Sequence, residues 1–293
     1  MKDQYYNGIS GSSIEFLGDR VRKSVHHGNV KKLKAQYDNL KNLHGKIRDY
    51  SVKVFGWRDS YYDMAFCPGV SFDVYCTMST QQAAFYRLKE IITVLLDNLY
   101  SQHKNAVNVV EYVDYLLERS HQYGNLGPDV STLTGLLNQI KSRLNGSTLL
   151  EDLPGGLIHG DLTFENIMVT ADSFVLLDSN PAPGGIASFT MDIGKIRQSL
   201  FSLYELPKYT GPAARAGLKA TYSYIADRFS LLFPYWNEAM DLQSRFYESS
   251  HYIRLLDYKH TVNPDLSCLY YQKAVDTLKE VITDLSLKQT MPN

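Results

Sequence analysis

The chain has 293 residues, 44% of them hydrophobic and 21% charged, with a formal net charge of −1. That length can bury a substantial core, as one large domain or two tightly joined lobes. Near-neutrality argues against a nucleic-acid binder with its strongly basic face, but leaves room for a phosphate-binding cleft, which needs only one or two local cations.

The opening MKDQYYNGISG lacks the apolar run of a signal peptide, so the expected compartment is the cytoplasm. Residues 12–25, SSIEFLGDRVRKSV, predict two strands around a Gly18-Asp19 turn. Strand alternation sends Val21 and Lys23 to one face and Arg22 to the other. The stretch Val30–Leu43 follows as a helix with Leu33, Gln36, Tyr37, Leu40 and Leu43 on one face. Two further strands, Tyr50–Trp57 and Tyr61–Cys67, end at Pro68-Gly69. From Ser79 the pattern turns helical, over Gln82–Tyr100, Val107–Arg119 and Val130–Leu144. A short β interruption comprises Gly156–Ile158, Ile167–Thr170 and Phe174–Asp178, and helices are predicted over 190–205, 212–232, 235–256 and 265–285. The longest apolar stretches, such as Ile91–Leu96, are far too short to span a bilayer. Cys67, Cys76 and Cys268 fit neither a metal spacing nor a disulfide framework. The 22 tyrosines read mainly as packing and surface residues, a tyrosine-lined pocket being the alternative.

The chemistry concentrates in LIHGDLTFENIMVTADSFVLLD, Leu157–Asp178. Phosphoryl transfer needs one carboxylate to orient the accepting hydroxyl and take its proton, and a pair of ligands to hold Mg²⁺ on the phosphates. His159, Asp161 and Asn166 lie on one compact loop, and the predicted hairpin returns the chain so that Asp178 closes the site from the opposite side.

With HGDLTFEN followed by LLD, the chain resembles the phosphotransferase family that contains aminoglycoside phosphotransferases, choline kinases and bacterial sugar kinases. Within it, LLDSNP and DIGKIRQS are most similar to uncharacterised proteins associated with capsule or other surface-polysaccharide biosynthesis. The resemblance implies an α+β, two-lobed protein-kinase-like fold. A β-rich nucleotide-binding lobe is expected over 1–68 and a mostly helical catalytic and acceptor-binding lobe over 69–293. It implies ATP as phosphate donor, Mg²⁺ as cofactor and a small-molecule hydroxyl acceptor. Asp161 takes the role of catalytic base, Asn166 and Asp178 that of Mg²⁺ ligands, and His159 and Asp192 that of loop supports. Lys23 corresponds to the strand lysine that contacts the ATP phosphates, and the small-residue turn carrying Ser10, Gly11 and Ser12 sits where a phosphate-covering loop belongs. Ala65, Phe66 and Cys67 fall at the hinge that meets adenine through the backbone. The helix glutamate that usually pairs with the lysine is replaced by Gln36, which offers a hydrogen bond but no countercharge, so Asp38 or another acid is an alternative partner.

Acceptor recognition in such a fold falls to the late helices, where Glu248, His251 and Arg254 cluster. Their mixed charge suits a polyhydroxylated or anionic acceptor better than a polycation. A sugar or sugar derivative is the first expectation, an amino alcohol the second. A nucleotide-binding pseudokinase and an unrelated helical scaffold are the non-enzymatic alternatives.

Overall fold

The computed structural model describes residues 5–7, 12–25, 29–105, 107–124, 130–144, 153–182, 187–256, 260 and 263–289. Strands β1 (Tyr5–Asn7), β2 (Ser12–Phe16), β3 (Arg20–Val25), β4 (Val54–Arg58) and β5 (Tyr61–Ala65) form an antiparallel sheet in the order β1-β2-β3-β5-β4. Its alternation is the predicted one. Val21, Lys23 and Val25 are buried on one face of β3, while Arg22 on the other meets its cross-strand partner Asp63 at 2.8 Å. Helix α1 (Val30–Lys46) lies against β3 and β4. The Asn29 side chain caps it by accepting the Lys32 N–H at 2.9 Å, and Leu33, Gln36, Leu40 and Leu43 form its buried stripe.

The strand expected over Tyr50–Trp57 begins later, at Val54. Tyr50 closes a 3₁₀ turn and stacks on Phe174, ring centroids 4.9 Å apart, and the Val52 N–H bonds the Leu176 carbonyl. The segment ahead of β4 is thus held by a different sheet. That second sheet joins β6 (Val70–Ser71), β8 (Ile167–Val169) and β9 (Phe174–Leu176), and it ties the first strands to the loop richest in chemistry. Residues Gly155–Gly156 (β7) pair with Ala187–Ser188 (β10), a strand pair narrower than the expected Gly156–Ile158.

The rest is helical: α2 (Phe72–Met78), α3 (Gln81–Asn98), α4 (Val109–Gly124), α5 (Ser131–Leu144), α6 (Thr190–Ser202), α7 (Pro212–Ala226), α8 (Glu238–Ile253) and α9 (Pro264–Gln289). Among the described residues no helix is long and apolar enough to cross a membrane. Helix α2 has no clear sequence signature, because Val74, Tyr75 and Thr77 favour strands. Tertiary packing decides for helix there: Phe72 is fully buried and meets Phe164 edge-on at 4.7 Å.

Helix α6 is buried along Thr190–Leu200, polar residues included. Gly194 makes this possible. A Cβ there would lie 2.8 Å from the Glu248 backbone nitrogen, so the bare glycine lets α8 approach closely. The polar groups trapped between the two helices satisfy one another: Arg197 Nε donates to Glu248 at 3.0 Å and Ser202 Oγ to the other carboxylate oxygen at 3.1 Å. Glu248 is therefore a cross-link between helices. The expectation that it contacts an acceptor is corrected: its carboxylate is buried and committed.

Candidate active site

Between β7 and β8 the chain forms a loop pinned from behind by Asp192, in the first turn of α6. This buried carboxylate accepts the His159 N–H at 2.8 Å, the Gly160 N–H at 2.6 Å and the Tyr100 hydroxyl at 2.8 Å. His159 is fully buried; its Nε2 donates to the Leu177 carbonyl at 2.6 Å, so Nδ1 is left as an acceptor and faces the Asp161 N–H at 3.3 Å. Gly160 has φ +77°, and a Cβ there would come within 1.7 Å of the Asn180 carbonyl oxygen. No other residue fits that corner. The loop's shape is thus over-determined by a carboxylate, an imidazole and a glycine.

What this shape presents is Asp161. Its carboxylate lies 3.0 Å from Lys195 Nζ, and Lys195 also donates to Gln198 at 3.1 Å. Burial pushes the Asp161 carboxyl up, but Lys195, with Arg254 behind it, more than offsets this and holds it below the usual carboxylate range. Asn166 Nδ2 donates to the Asp161 carbonyl at 2.8 Å. Because a carbonyl only accepts, this bond fixes the amide orientation and leaves Oδ1 as an oxygen donor toward the cavity.

Asp178 ends the β8–β9 hairpin with φ +46°, a left-handed conformation that aspartate tolerates better than most residues. Its carboxylate forms an ion pair with Lys23, whose side chain is 3% exposed. Asp161, Asn166, Asp178, Lys23 and Lys195 all open onto one cavity of about 770 Å³ between the first sheet and the helices. Ser12, Gln36, His251 and Arg254 also line it.

No family model matches the sequence, and no curated relative does either. Solved structures do match. APH(2'')-IIa in its ternary complex with streptomycin and ATP superposes with a TM-score of 0.59 at 12% identity, over 95% of this chain and 93% of that one. A choline/ethanolamine kinase family protein from Mesorhizobium loti gives 0.57 at 11% identity, over 96% and 88%. Glucosamine kinase in complex with glucosamine, ADP and inorganic phosphate gives 0.54 at 13% identity, over 99% and 76%. The fold is that of the small-molecule kinases.

Within this kinase fold the departure at Gln36 has a structural counterpart. Gln36 is buried beside the cavity but makes no hydrogen bond to Lys23, whose countercharge comes from Asp178. Asp38, the alternative partner, pairs with Lys34 at 2.5 Å one turn away on its own helix. At the hinge, the Ala65 N–H is bonded to the Lys53 carbonyl and the Phe66 N–H to the Asp19 carbonyl, both at 2.9 Å. Phe66 projects outward and packs against Phe16. Of the three hinge residues expected to meet adenine, Cys67 is the one whose N–H has no backbone partner among the described residues. None of the three residues lines the cavity as it stands. Ser10 and Gly11 lie outside the described residues.

Two residues escaped the sequence reading. Lys195 follows Asp192 by one helical turn, and the D-x-x-K spacing that puts both on one face of α6 was a usable signal. Glu205 had none. It is fully buried beneath the loop, where its carboxylate takes the Ser199 hydroxyl at 2.7 Å, the Phe164 N–H at 3.1 Å and the Tyr222 hydroxyl at 3.2 Å. Burial, with help from Asp73 nearby, pushes its pKa up to about 7.

That shift sets a pH dependence. A folded-state pKa above the unfolded value means the native state binds the extra proton, so stability falls as pH rises from about 4.5 to about 7. The loss is on the order of 3 kcal/mol. Glu205→Gln keeps the acceptor oxygen for Ser199 and Phe164 but cannot ionise. Its denaturation midpoint should exceed that of the wild type at pH ~8, with the gap closing toward pH ~5. Parallel stability curves for the two proteins would show that Glu205 does not titrate in this range.

Proposed function

We propose that the chain is an ATP-dependent kinase that transfers the γ-phosphate to a hydroxyl of a small molecule, a sugar or sugar derivative. The observation that carries this reading is the convergence of an ionised, lysine-oriented Asp161 with the oxygen donors of Asn166 and Asp178 and the ammonium of Lys23 on one cavity.

In the reaction the acceptor oxygen forms a bond to Pγ while the bond from Pγ to the ADP oxygen breaks, its electron pair leaving with ADP. The hydroxyl proton passes to the Asp161 carboxylate and then to solvent. Lys195 holds Asp161 in place for this, and Asp192 and His159 hold the loop. Lys23 meets the nucleotide phosphates, and the hinge residues Ala65, Phe66 and Cys67, which lie outside the cavity as it stands, meet adenine through backbone groups. Asn166 and Asp178 are hard oxygen donors, and two of them suit Mg²⁺, which keeps waters and takes phosphate oxygens for the rest of its shell. Mg²⁺ held there would neutralise charge on the transferring phosphate.

A thermal-shift titration tests the first half of the reading. ATP with Mg²⁺ should raise the melting point, since a ligand bound by the native state alone stabilises it. An unchanged melting point at millimolar nucleotide would contradict nucleotide binding. Steady-state ATP turnover then separates an enzyme from a pseudokinase. The Lys23→Met variant should weaken ATP binding or slow transfer by about tenfold or more, and Gln36→Ala by less, because it removes at most a neutral hydrogen bond. Equal effects from the two would contradict the assignment of Lys23 to the phosphates.

A further inference from the structure

Charge in the cavity does not balance. Its three acids are each already paired with a lysine: Asp161 with Lys195, Asp178 with Lys23, and Glu165 with Lys208. Lys32, Arg119 and Arg254 also line it, and neither Lys32 nor Arg254 has a carboxylate within ion-pair distance among the described residues. Lys32 lies on α1, one turn before Gln36, on the wall where Lys23 meets the nucleotide. Arg254 lies opposite, at the C-terminal end of α8, and no nucleotide-side element carries it.

The Arg254 guanidinium donates to the Tyr112 hydroxyl, but its Nη1 is buried without a hydrogen-bond partner among the described residues. The Arg119 guanidinium donates to the Arg254 carbonyl at 3.3 Å, which fixes the backbone that carries it. Three residues earlier on the same helix face, His251 is 1% exposed and lines the same cavity. Its Nε2–H donates to the Met191 carbonyl at 2.9 Å, so Nδ1 is a lone-pair acceptor, and it too is buried without a partner among the described residues. Burial and the charges of Lys195 and Arg254 pull this imidazole well below its ordinary pKa, so it stays neutral.

We propose that this wall, His251 with Arg254, binds an acceptor that is a hydroxylated anion: a sugar or polyol carrying a carboxylate or phosphate. The proposal rests on the kinase reading and narrows its acceptor. A hydroxyl of the acceptor donates to His251 Nδ1, and the oxyanion takes the Arg254 fork, whose parallel N–H donors match either oxyanion. A neutral sugar leaves the desolvated guanidinium without a countercharge. A cation such as an aminoglycoside or choline meets positive charge on both walls.

The test is phosphate transfer from labelled ATP by the full chain to glucuronate, galactose 6-phosphate, glucose, glucosamine and choline. Transfer to at least one of the two anions should exceed transfer to glucose by about tenfold or more in kcat/KM. Which anion wins distinguishes carboxylate from phosphate. Arg254→Gln should raise KM for the preferred anion by about tenfold or more, and Arg254→Lys, which keeps the charge but not the fork, by less. A preference for glucose, glucosamine or choline overturns the proposal and leaves the kinase reading standing. So does a loss of ATP affinity in Arg254→Gln with acceptor KM unchanged, which would assign Arg254 to the nucleotide. If no panel member accepts phosphate, calorimetry of inorganic sulfate with the ADP-loaded protein decides. Sulfate binding that disappears in Arg254→Gln supports the site, and binding that is absent or indifferent to Arg254 overturns it. A chain that binds no nucleotide at all overturns the kinase reading and the acceptor proposal together.

Discussion

The Asp161→Asn variant is expected to lose at least about 10²-fold in kcat while keeping most of its affinity for nucleotide. Asparagine matches the shape of the carboxylate and can still orient a hydroxyl, but it accepts no proton. It also leaves the Lys195 ammonium, side chain 7% exposed, facing a neutral group. The loop itself should survive, because Asp192, His159 and Gly160 hold it through bonds that do not involve the Asp161 side chain. Single-turnover kinetics on wild type and variant would measure the effect. Near-normal turnover in the variant would remove Asp161 from the chemistry.

The second large effect is expected at Asp178. Asp178→Ala removes an anionic oxygen donor and, with it, the countercharge of Lys23. Mg²⁺ should then no longer tighten ATP binding, because the remaining protein donor, Asn166, is neutral. The fold should weaken as well, because Lys23, 3% exposed, loses its countercharge and alanine tolerates φ +46° less well than aspartate. Titrating ATP calorimetrically with and without Mg²⁺ checks this. A Mg²⁺ dependence equal to that of the wild type would mean that the cation is held elsewhere.

Asp161 and Asp178 belong to a grouping that is legible in the sequence. The β8–β9 hairpin announces itself by alternation around a polar turn, and so does the β2–β3 hairpin that sets the facing of Lys23. Strand periodicity is a local property, and local properties survive translation from sequence to structure. The misreadings have a different origin. Glu248 sits in a charged cluster on an amphipathic helix, the ordinary mark of a solvated or ligand-facing surface. It is buried because Gly194, fifty-odd residues earlier, admits α8 against α6. Glu205 is placed by Ser199, Tyr222 and Phe164, which come from three separate segments. Neither burial has a local signature. The countercharge of Lys23 is legible only as a gap at Gln36, because the residue that fills it, Asp178, is 155 positions away.

Kinase activity stands or falls on where the γ-phosphate goes. The most direct measurement incubates the full chain with Mg²⁺ and ATP labelled at the γ-position, with each hydroxylated acceptor in turn, and separates the products. The expected result is label in an organic phosphate made by the wild type, reduced by at least about 10²-fold with Asp161→Asn. Label that remains in ATP with every acceptor, in a protein whose melting point nucleotide does not raise, would contradict it.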